Sequence, residues 1–309
     1  MNFYIIRHYL KKMIDDPFAI FRFIMMNTYL SKLIDDKKYI ESLYFLYYKE
    51  KLNLKNPQTF NQKLQWLKLN DRKSIHTVMA DKYEAKKLVT DLIGQEYVVP
   101  TLQVYENVED IKLETLPDQF AIKCTHDSGS TFLCRNKANF KWNAIKKKLK
   151  KAVSTNYFYR AREWQYKDIR PRIIVEPLLE MQRGGGMADY KFYCFNGKPQ
   201  FLYVSEGLDN HFTARISFLT LDWKFAEFRR TDYSDFDEIP QKPAAYEDML
   251  SCAEKLCRNE KFVRVDFYCI GKQVFFSEFT FYPNSGFVHF EPQEYDLKLG
   301  EMLNIYDNK

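Results

Sequence analysis

Residues 262–280 read FVRVDFYCIGKQVFFSEFT, two alternating runs joined at a glycine. Alternation is the mark of a strand, because successive side chains point to opposite faces of a sheet. The segment therefore reads as a hairpin of Phe262–Cys269 and Gln273–Phe279. Arg264 and Asp266 share one face of the first strand, and Glu278 and Thr280 share one face of the second. A three-residue turn centred on Lys272 sets Asp266 opposite Glu278 and Arg264 opposite Thr280. A two-residue turn would send the two acids to opposite faces. Opposed Cβ atoms lie roughly 5 Å apart in such a pair. Two carboxylates at that distance repel, and a hard cation such as Mg²⁺ relieves the repulsion.

Reading upstream, Asp189–Phe195 and Lys198–Ser205 alternate around Asn196-Gly197, the strongest short hairpin signal. Asp189 and Lys191 fall on one face, as an acid and a base that could serve a ligand or form a simple surface ion pair. A helix is expected at Ala244–Cys257, between the two hairpins. Arg172–Glu176 reads as a strand ending in an acid, with Gly184–Gly186 as a connector beyond it. Residues 120–131, FAIKCTHDSGST, place Lys123 at the end of an apolar strand and then a small polar loop. Such a loop can turn backbone N–H groups over phosphates, although many strand–turn–strand units look alike. Thr131–Cys134 continues as a strand, and Asn143–Val153 follows as a helix whose Lys146–Lys151 run reads as a solvated face.

The first hundred residues read as helices. Asp15, Asp16 and Pro17 form one helix start, and Asp35 and Asp36 another. Phe60, Leu64 and Leu67 line one face of a third helix, and Asp81 opens a fourth that stops at Gly94. Tyr97–Val99 reads as a strand. Phe18, Phe21, Ile24 and Met25 recur at helical spacing, which suits a helix on its own core or one lying on a membrane surface. The fold class is α+β: a helical N-terminal region followed by antiparallel sheets.

Composition narrows the function. Lys and Arg number 47 against 41 Asp and Glu, a net charge of +6, milder than a nucleic-acid surface requires. Six cysteines show no metal-knuckle or redox spacing and read as reduced thiols. No stretch reads as a secretory signal or bilayer span, so a cytoplasmic protein is expected.

In order and spacing, Asp81-Lys82, Lys123 before its loop, the strand ending at Glu176, Asp189-x-Lys191, Arg264-x-Asp266 and Glu278-x-Thr280 resemble the ATP-grasp superfamily. More closely, NPQTFNQKLQWLKL (56–69), ADKY (80–83), PDQFAIKCTHDSG (117–129), REWQY (162–166), DYKFYCFNG (189–197) and FVRVDF (262–267) resemble the TupA-like ATP-grasp family. That family is associated with surface-polysaccharide biosynthesis, and the resemblance covers about residues 45 to 300. It implies an ATP-grasp fold, two α+β lobes holding ATP between antiparallel sheets. Residues 1–112 would be the helical region leading into it, 113–180 the small lobe with its phosphate loop, and 181–309 the large lobe with the Mg²⁺ site.

By the same resemblance, Lys82 and Lys123 would contact ATP phosphates beneath a loop of Ser128, Gly129 and Ser130. Glu176 would meet the adenine amino group, backbone near Leu178 the ring edge, and Asp189 the ribose. Lys191 and Arg264 would stabilise the transferring phosphoryl group. Asp266 and Glu278 would bind Mg²⁺, with Thr280 standing where many relatives have asparagine. The chemistry implied is a carboxylate–amine ligase working through an acylphosphate. Its acceptor would be a uronic acid of a glycan or its precursor, and its second substrate a small amine. Nucleic acid is not expected as a partner. Peripheral association with the membrane-bound polysaccharide machinery, at the inner face of the membrane, is. Arg160, Arg162 and Trp164 are candidates for reading the acceptor, or else structural residues.

Three other readings compete. Asp235-Phe236-Asp237 could serve a glycosyltransferase as its metal and nucleotide-sugar site, but polar residues precede it and Pro240 follows. The ATP site could instead phosphorylate a sugar hydroxyl as a kinase, which would need a general base. The third reading is a nucleotide-binding module without catalysis, against which the intact charged set argues.

Overall fold

The turn at Asn196 and Gly197 takes positive φ at both residues, 50° and 77°, whose twist matches that of the flanking strands. A Cβ on Gly197 would lie 2.4 Å from the Arg258 carbonyl oxygen, so glycine is required there twice over. The computed structural model around this hairpin describes residues 16–179, 188–207 and 213–306, without the side chains of Tyr29 and Leu30. Residues 1–15, which hold Asp15 and the basic N-terminal positions, and the Gly184–Gly186 connector lie outside the described residues.

The helices are α1 (Ala19–Asn27), α2 (Asp36–Tyr48), α3 (Phe60–Asn70), α4 (Ser74–Ala80) and α5 (Glu84–Ile93), then α6 (Trp142–Val153), α7 (Phe158–Ala161), α8 (Tyr246–Cys257) and α9 (Tyr295–Met302). Their starts follow local chemistry. Asp35 caps α2 by accepting from the N–H groups of Lys37 and Lys38, and Thr59 caps α3 through Gln62. The strands are β1 (Gln103–Tyr105), β2 (Phe120–Cys124), β3 (Thr131–Cys134), β4 (Ile173–Pro177), β5 (Asp189–Phe195), β6 (Lys198–Glu206), β7 (Arg215–Thr220), β8 (Arg229–Arg230), β9 (Phe262–Ile270), β10 (Gln273–Thr280) and β11 (Phe290–Glu291). They form a large sheet ordered β10-β9-β5-β6-β7, a small sheet ordered β1-β4-β2-β3, and a β11-β8 ribbon. All the strand pairs are antiparallel. The small sheet takes β1 from before residue 113, so a boundary at 112 runs through it.

Every residue of β5 is buried, because both faces of the large sheet are covered. On one face Phe192 packs against Phe267 and against Tyr246 of α8. On the other, Phe195 and Phe262 meet Phe60 of α3. Alternation continues that second face along the strands to Lys191 and Asp266. One face therefore buries aromatic rings at one end and presents charge at the other. In the small sheet, Phe120, Ile122 and Cys124 pack on Leu149 of α6, which leaves Ala121 and Lys123 facing the large sheet.

The decisive hairpin reaches the expected pairing by another route. Ile270 pairs with Gln273, so the turn has two residues, Gly271 and Lys272, rather than three. A bulge between Phe276 and Glu278 then shifts the register by one residue. The extra residue, Ser277, restores Asp266 opposite Glu278 and Arg264 opposite Thr280. Tyr97–Val99 is not a strand: Gln95–Tyr97 is a 3₁₀ turn, and Val98 makes only a single bridge, to Phe276. Pro100, with no N–H to donate, stops any extension. Helix α1 forms at the expected place but buries none of its residues fully, and Phe21 and Phe23 are exposed. Among the described residues no helix is long and apolar enough to cross a membrane.

Candidate functional site

A cleft lies between the two sheets. Val98, Val99, Leu133, Leu178 and Phe276 give it apolar walls suited to a planar ring, and Lys82, Lys86, Lys123 and Glu176 supply its charge. Glu176 forms ion pairs with Lys86 at 2.5 Å and Lys123 at 2.6 Å. Burial opposes ionisation of Glu176, but the two ammonium groups outweigh it and hold the carboxyl below its ordinary value. Burial lowers the pKa of Lys86. At Lys123 burial pulls the same way, but the charge and hydrogen bond of Glu176, with Tyr268 and Glu278 adding to them, raise it. Lys86 also donates to the Val99 carbonyl and to Thr101 Oγ1, each at 2.7 Å.

The loop between β2 and β3 joins two cleft-lining residues, Lys123 and Thr131. Its form is set by Lys82, whose N–H donates to the Thr125 carbonyl at 3.1 Å and whose ammonium donates to the Asp127 carbonyl. Ser130 donates its hydroxyl to Asp127, folding the loop on itself. Gly129 holds φ at +97° with open space where a Cβ would stand, so its backbone conformation, not crowding, requires glycine. Asp81 accepts from the Tyr83 N–H at 2.8 Å and pairs with Arg172 at 2.6 Å, fastening the start of α5 to the small sheet.

Beyond Tyr268, on the same face of β9, strands β5, β9 and β10 carry a charged array. Lys191, Asp266 and Glu278 form one row across the three strands, and Tyr193, Arg264 and Thr280 the next. Arg264 donates from Nε and Nη2 to the two Asp266 oxygens at 2.7 and 2.6 Å, and to Thr280 Oγ1 at 2.9 Å. Lys191 Nζ lies 3.1 Å from Asp266, and Arg264 lies 3.7 Å from Glu278. Asp266 is fully buried. Burial is the largest influence and opposes the charge of Lys191 and of Arg264, but Asp266 and Tyr203 together with their other neighbours raise both pKa values well above the ordinary range. Asp189 moves the other way for a carboxyl: burial raises it, and the charges of Asp266 and Glu278 add to the rise. Three carboxylates thus face two cations, the deficit a divalent cation fills. The opposed, all-oxygen pair of Asp266 and Glu278 suits Mg²⁺. Thr280 is already engaged as an acceptor for Arg264.

Lys82, Lys123, Glu176 and Leu178 thus line the cleft, and Asp189, Lys191, Arg264, Asp266, Glu278 and Thr280 share the face beyond it. Ser128, Gly129 and Ser130 border a second groove, together with Arg160. Arg162 is not brought into the cleft. It is 1% exposed, pairs with Asp36 at 2.7 Å, and donates to the carbonyls of Tyr159, Ser31 and Ile34. Arg162→Ala should therefore cost about 3 kcal/mol of stability, from stranded buried carbonyls and a lost pair, as measured by urea unfolding. Trp164 lies under the guanidinium of Arg72, 4.6 Å from its ring. Lys86 and Tyr268 escaped the sequence reading, though both left a signal. Lys86 follows Lys82 by one helical turn, and Tyr268 continues the alternation of Arg264 and Asp266.

The rival Asp-x-Asp lies in a loop and is occupied: Asp235 pairs with Arg229 at 3.4 Å and Asp237 with Arg215 at 2.5 Å. The six cysteines are free thiols.

The family described as TupA-like ATPgrasp matches residues 62–304. No curated protein matches the chain. Among solved structures it is similar to D-alanine–D-alanine ligase from Bacillus anthracis complexed with ATP, at 15% identity and a TM-score of 0.40, over 73% of this chain and 65% of that one. The Helicobacter pylori D-alanine–D-alanine ligase aligns at 16% identity and a TM-score of 0.41, over 74% and 62%. The ATP-grasp ligase PsnB, complexed with minimal precursor, Mg and ADP, aligns at 10% identity and a TM-score of 0.36, over 71% and 57%. The chain spans less than two thirds of the length of each of these ligases.

Proposed function

The chain belongs to the TupA-like ATP-grasp family, and from that premise we propose that it is an ATP- and Mg²⁺-dependent carboxylate–amine ligase. Its acceptor is a uronic acid of a surface polysaccharide or precursor, and its second substrate a small amine. The observation that carries this reading is the row Lys191–Asp266–Glu278, reached from an apolar cleft that holds Lys82, Lys86 and Lys123.

The apolar walls take the adenine, and Lys82 and Lys123 take phosphate oxygens. Glu176 is held between two lysines, so a nucleotide that draws Lys123 to phosphate frees one carboxylate oxygen for the adenine amino group or the ribose. The acceptor carboxylate attacks the γ-phosphorus, the bond to the ADP oxygen breaks, and an acylphosphate results. The amine then attacks the acyl carbon, phosphate leaves, and the nitrogen loses a proton to give the amide. Lys191 and Arg264 face the transferring group and offset its charge without forming a bond to it. Asp266 and Glu278 would hold a divalent cation, which would supply positive charge to the phosphates of the nucleotide.

The test is a thermal-shift comparison of ATP–Mg²⁺ with a panel of nucleotide sugars and Mn²⁺. A ligand at about a hundred times its Kd adds about 2.7 kcal/mol, several degrees in Tm for a chain of this size. A shift with ATP–Mg²⁺ is expected, followed by ADP release with a uronate–amine pair. A shift with a nucleotide sugar and none with ATP would overturn the ligase reading in favour of glycosyl transfer. The protein is expected to work in the cytoplasm, at the inner face of the membrane where such polymers are assembled.

A further inference from the structure

Three side chains of metal-ligating type converge where the helical region meets the start of β9. Asp71 stands just after α3, His76 lies in α4, and Glu260 precedes β9. A ligand atom from each lies within 4.8 Å of the other two. His76 is 2% exposed, Glu260 6% and Asp71 9%. His76 Nε2 stands 2.7 Å from a Glu260 carboxylate oxygen. The surroundings hold both groups in place. The Gly197 N–H, in the tight turn between β5 and β6, donates to the Glu260 carbonyl at 2.9 Å. The Phe281 ring packs against the imidazole, with centroids 4.3 Å apart.

Asp71 is the member left without a close partner. Its carboxylate is nine-tenths buried and accepts no hydrogen bond among the described residues. Lys73, the cation paired with it, lies 3.8 Å away, beyond hydrogen-bond reach. Lys73 stands almost as far from Glu260, at 3.6 Å, and 3.4 Å from the Asn259 carbonyl. Its side chain is 41% exposed, so it lies over the mouth of the cluster without entering it. An ammonium held that loosely offsets little of the cost of burying two carboxylates. Arg72, the adjacent cation, is engaged elsewhere, by Asp36 and the Trp164 ring. The surplus of negative charge is felt nearby. Burial raises the pKa of the Tyr282 phenol, and the charges of Asp71, Glu163 and Glu260 add to the rise.

We propose that Asp71, His76 and Glu260 bind a divalent transition-metal ion, with Zn²⁺ as the type, which clamps the corner between α3 and α4 to the start of β9. One imidazole nitrogen and two carboxylate oxygens suit such an ion, whereas Mg²⁺ favours oxygen and keeps its water. The ion replaces the hydrogen bond between His76 and Glu260 with a bond to each, and takes Asp71 as its third ligand. Lys73 turns out into solvent, and water fills the side it leaves. Strand β9 goes on to carry Arg264 and Asp266, so the clamp secures the strand of the charged row from its other end. This inference does not rest on the ligase reading.

The test uses the whole protein, stripped of metal with a chelator and returned to buffer with excess Mg²⁺. It is titrated with Zn²⁺ by calorimetry and with Co²⁺ by visible absorption. One equivalent of Zn²⁺ is expected to bind despite the Mg²⁺, and at about a hundred times its Kd to raise the Tm by several degrees. Bound Co²⁺ should show the intense visible bands of a four- or five-coordinate site, which the aqua ion lacks. His76→Gln should weaken Zn²⁺ binding at least about tenfold and remove those bands. Asp71→Asn gives up no hydrogen bond, so it should leave the Tm of the Zn²⁺-free protein unchanged and still weaken Zn²⁺ binding as much. That variant decides the matter even if His76→Gln fails to fold. Glu278→Gln should bind Zn²⁺ as the parent does. Zn²⁺ binding that excess Mg²⁺ abolishes overturns the inference, as does binding left unchanged by Asp71→Asn. Loss of Zn²⁺ binding in Glu278→Gln would move the ion to the charged row and overturn it too.

Discussion

Asp266→Asn is expected to lower ATP-dependent turnover by at least about a thousandfold, the scale on which a preorganised charge at a transferring group acts. Asparagine keeps the shape and one carbonyl for Arg264, but it removes the charge on which the whole array balances. The aspartate is fully buried, accepts both bonds of the Arg264 fork, and lies 3.1 Å from Lys191. Its loss leaves two buried cations short of a partner, so the variant should also lose about 3 kcal/mol of stability. A fall in activity alone would thus be ambiguous, and Glu278→Gln separates the two effects. The Glu278 side chain is 36% exposed and 3.7 Å from Arg264, so its glutamine variant should fold normally. It should still lose the Mg²⁺-dependence of ATP binding and most of the ADP release. Mg²⁺-dependent ATP binding of wild-type strength in Glu278→Gln would remove the metal from this row.

Lys123→Ala should weaken ATP binding by about thirtyfold or more, the ~2 kcal/mol typical of a hydrogen bond to a charged group. Unchanged affinity, measured by calorimetry, would sink the phosphate role. The substitution carries a second, pH-dependent signature that needs no nucleotide. In the native protein burial disfavours the Glu176 charge, yet Lys123 and Lys86 hold its pKa below the unfolded value. Such a group adds stability above the unfolded carboxylate pKa, and loses it as pH falls through the lower folded pKa. Without Lys123, burial is opposed by Lys86 alone and the Glu176 pKa must rise. Lys123→Ala should accordingly be less stable than the parent at pH 7. The gap in urea midpoints should close as the pH falls through the lowered folded-state pKa of Glu176 in the parent, below the ordinary carboxylate range, where the side chain is protonated in both folded proteins. A gap that persists unchanged to low pH would mean that packing, not the Glu176 charge, explains the loss.

Much of the charged array was legible because its parts are local. Period-two alternation puts Arg264 with Asp266, and Asp189 with Lys191, on shared faces whatever the rest of the chain does. Asn-Gly reads as a tight turn because both positions need positive φ, and both have it. The strand ends at Cys124 and Cys134 and the caps at Asp35 and Thr59 follow from the same short-range chemistry. The bulge at Ser277 was not legible. Turn length and alternation alone would have misplaced Glu278, and the extra residue has no composition of its own.

Positions with long-range partners were the hardest to read. Arg162 looks like any surface arginine in REWQY, and only the packing of α2 and the segment around Ser31 against α7 encloses it and turns it structural. Glu176 reads as an adenine contact, but Lys86 and Lys123 reach it from a helix and a neighbouring strand. The groove beside the β2–β3 loop exists because the chain around residues 26–32 comes to lie against residues 127–160. Covalent neighbours alone determine alternation, turns and caps, so the sequence by itself settled the α+β class, the hairpins and the acid–base pairs within strands. Which charges meet across the chain depends on how whole elements pack to bury apolar surface. Only the tertiary structure could therefore decide which candidates became the cleft, the charged row and the buried scaffold.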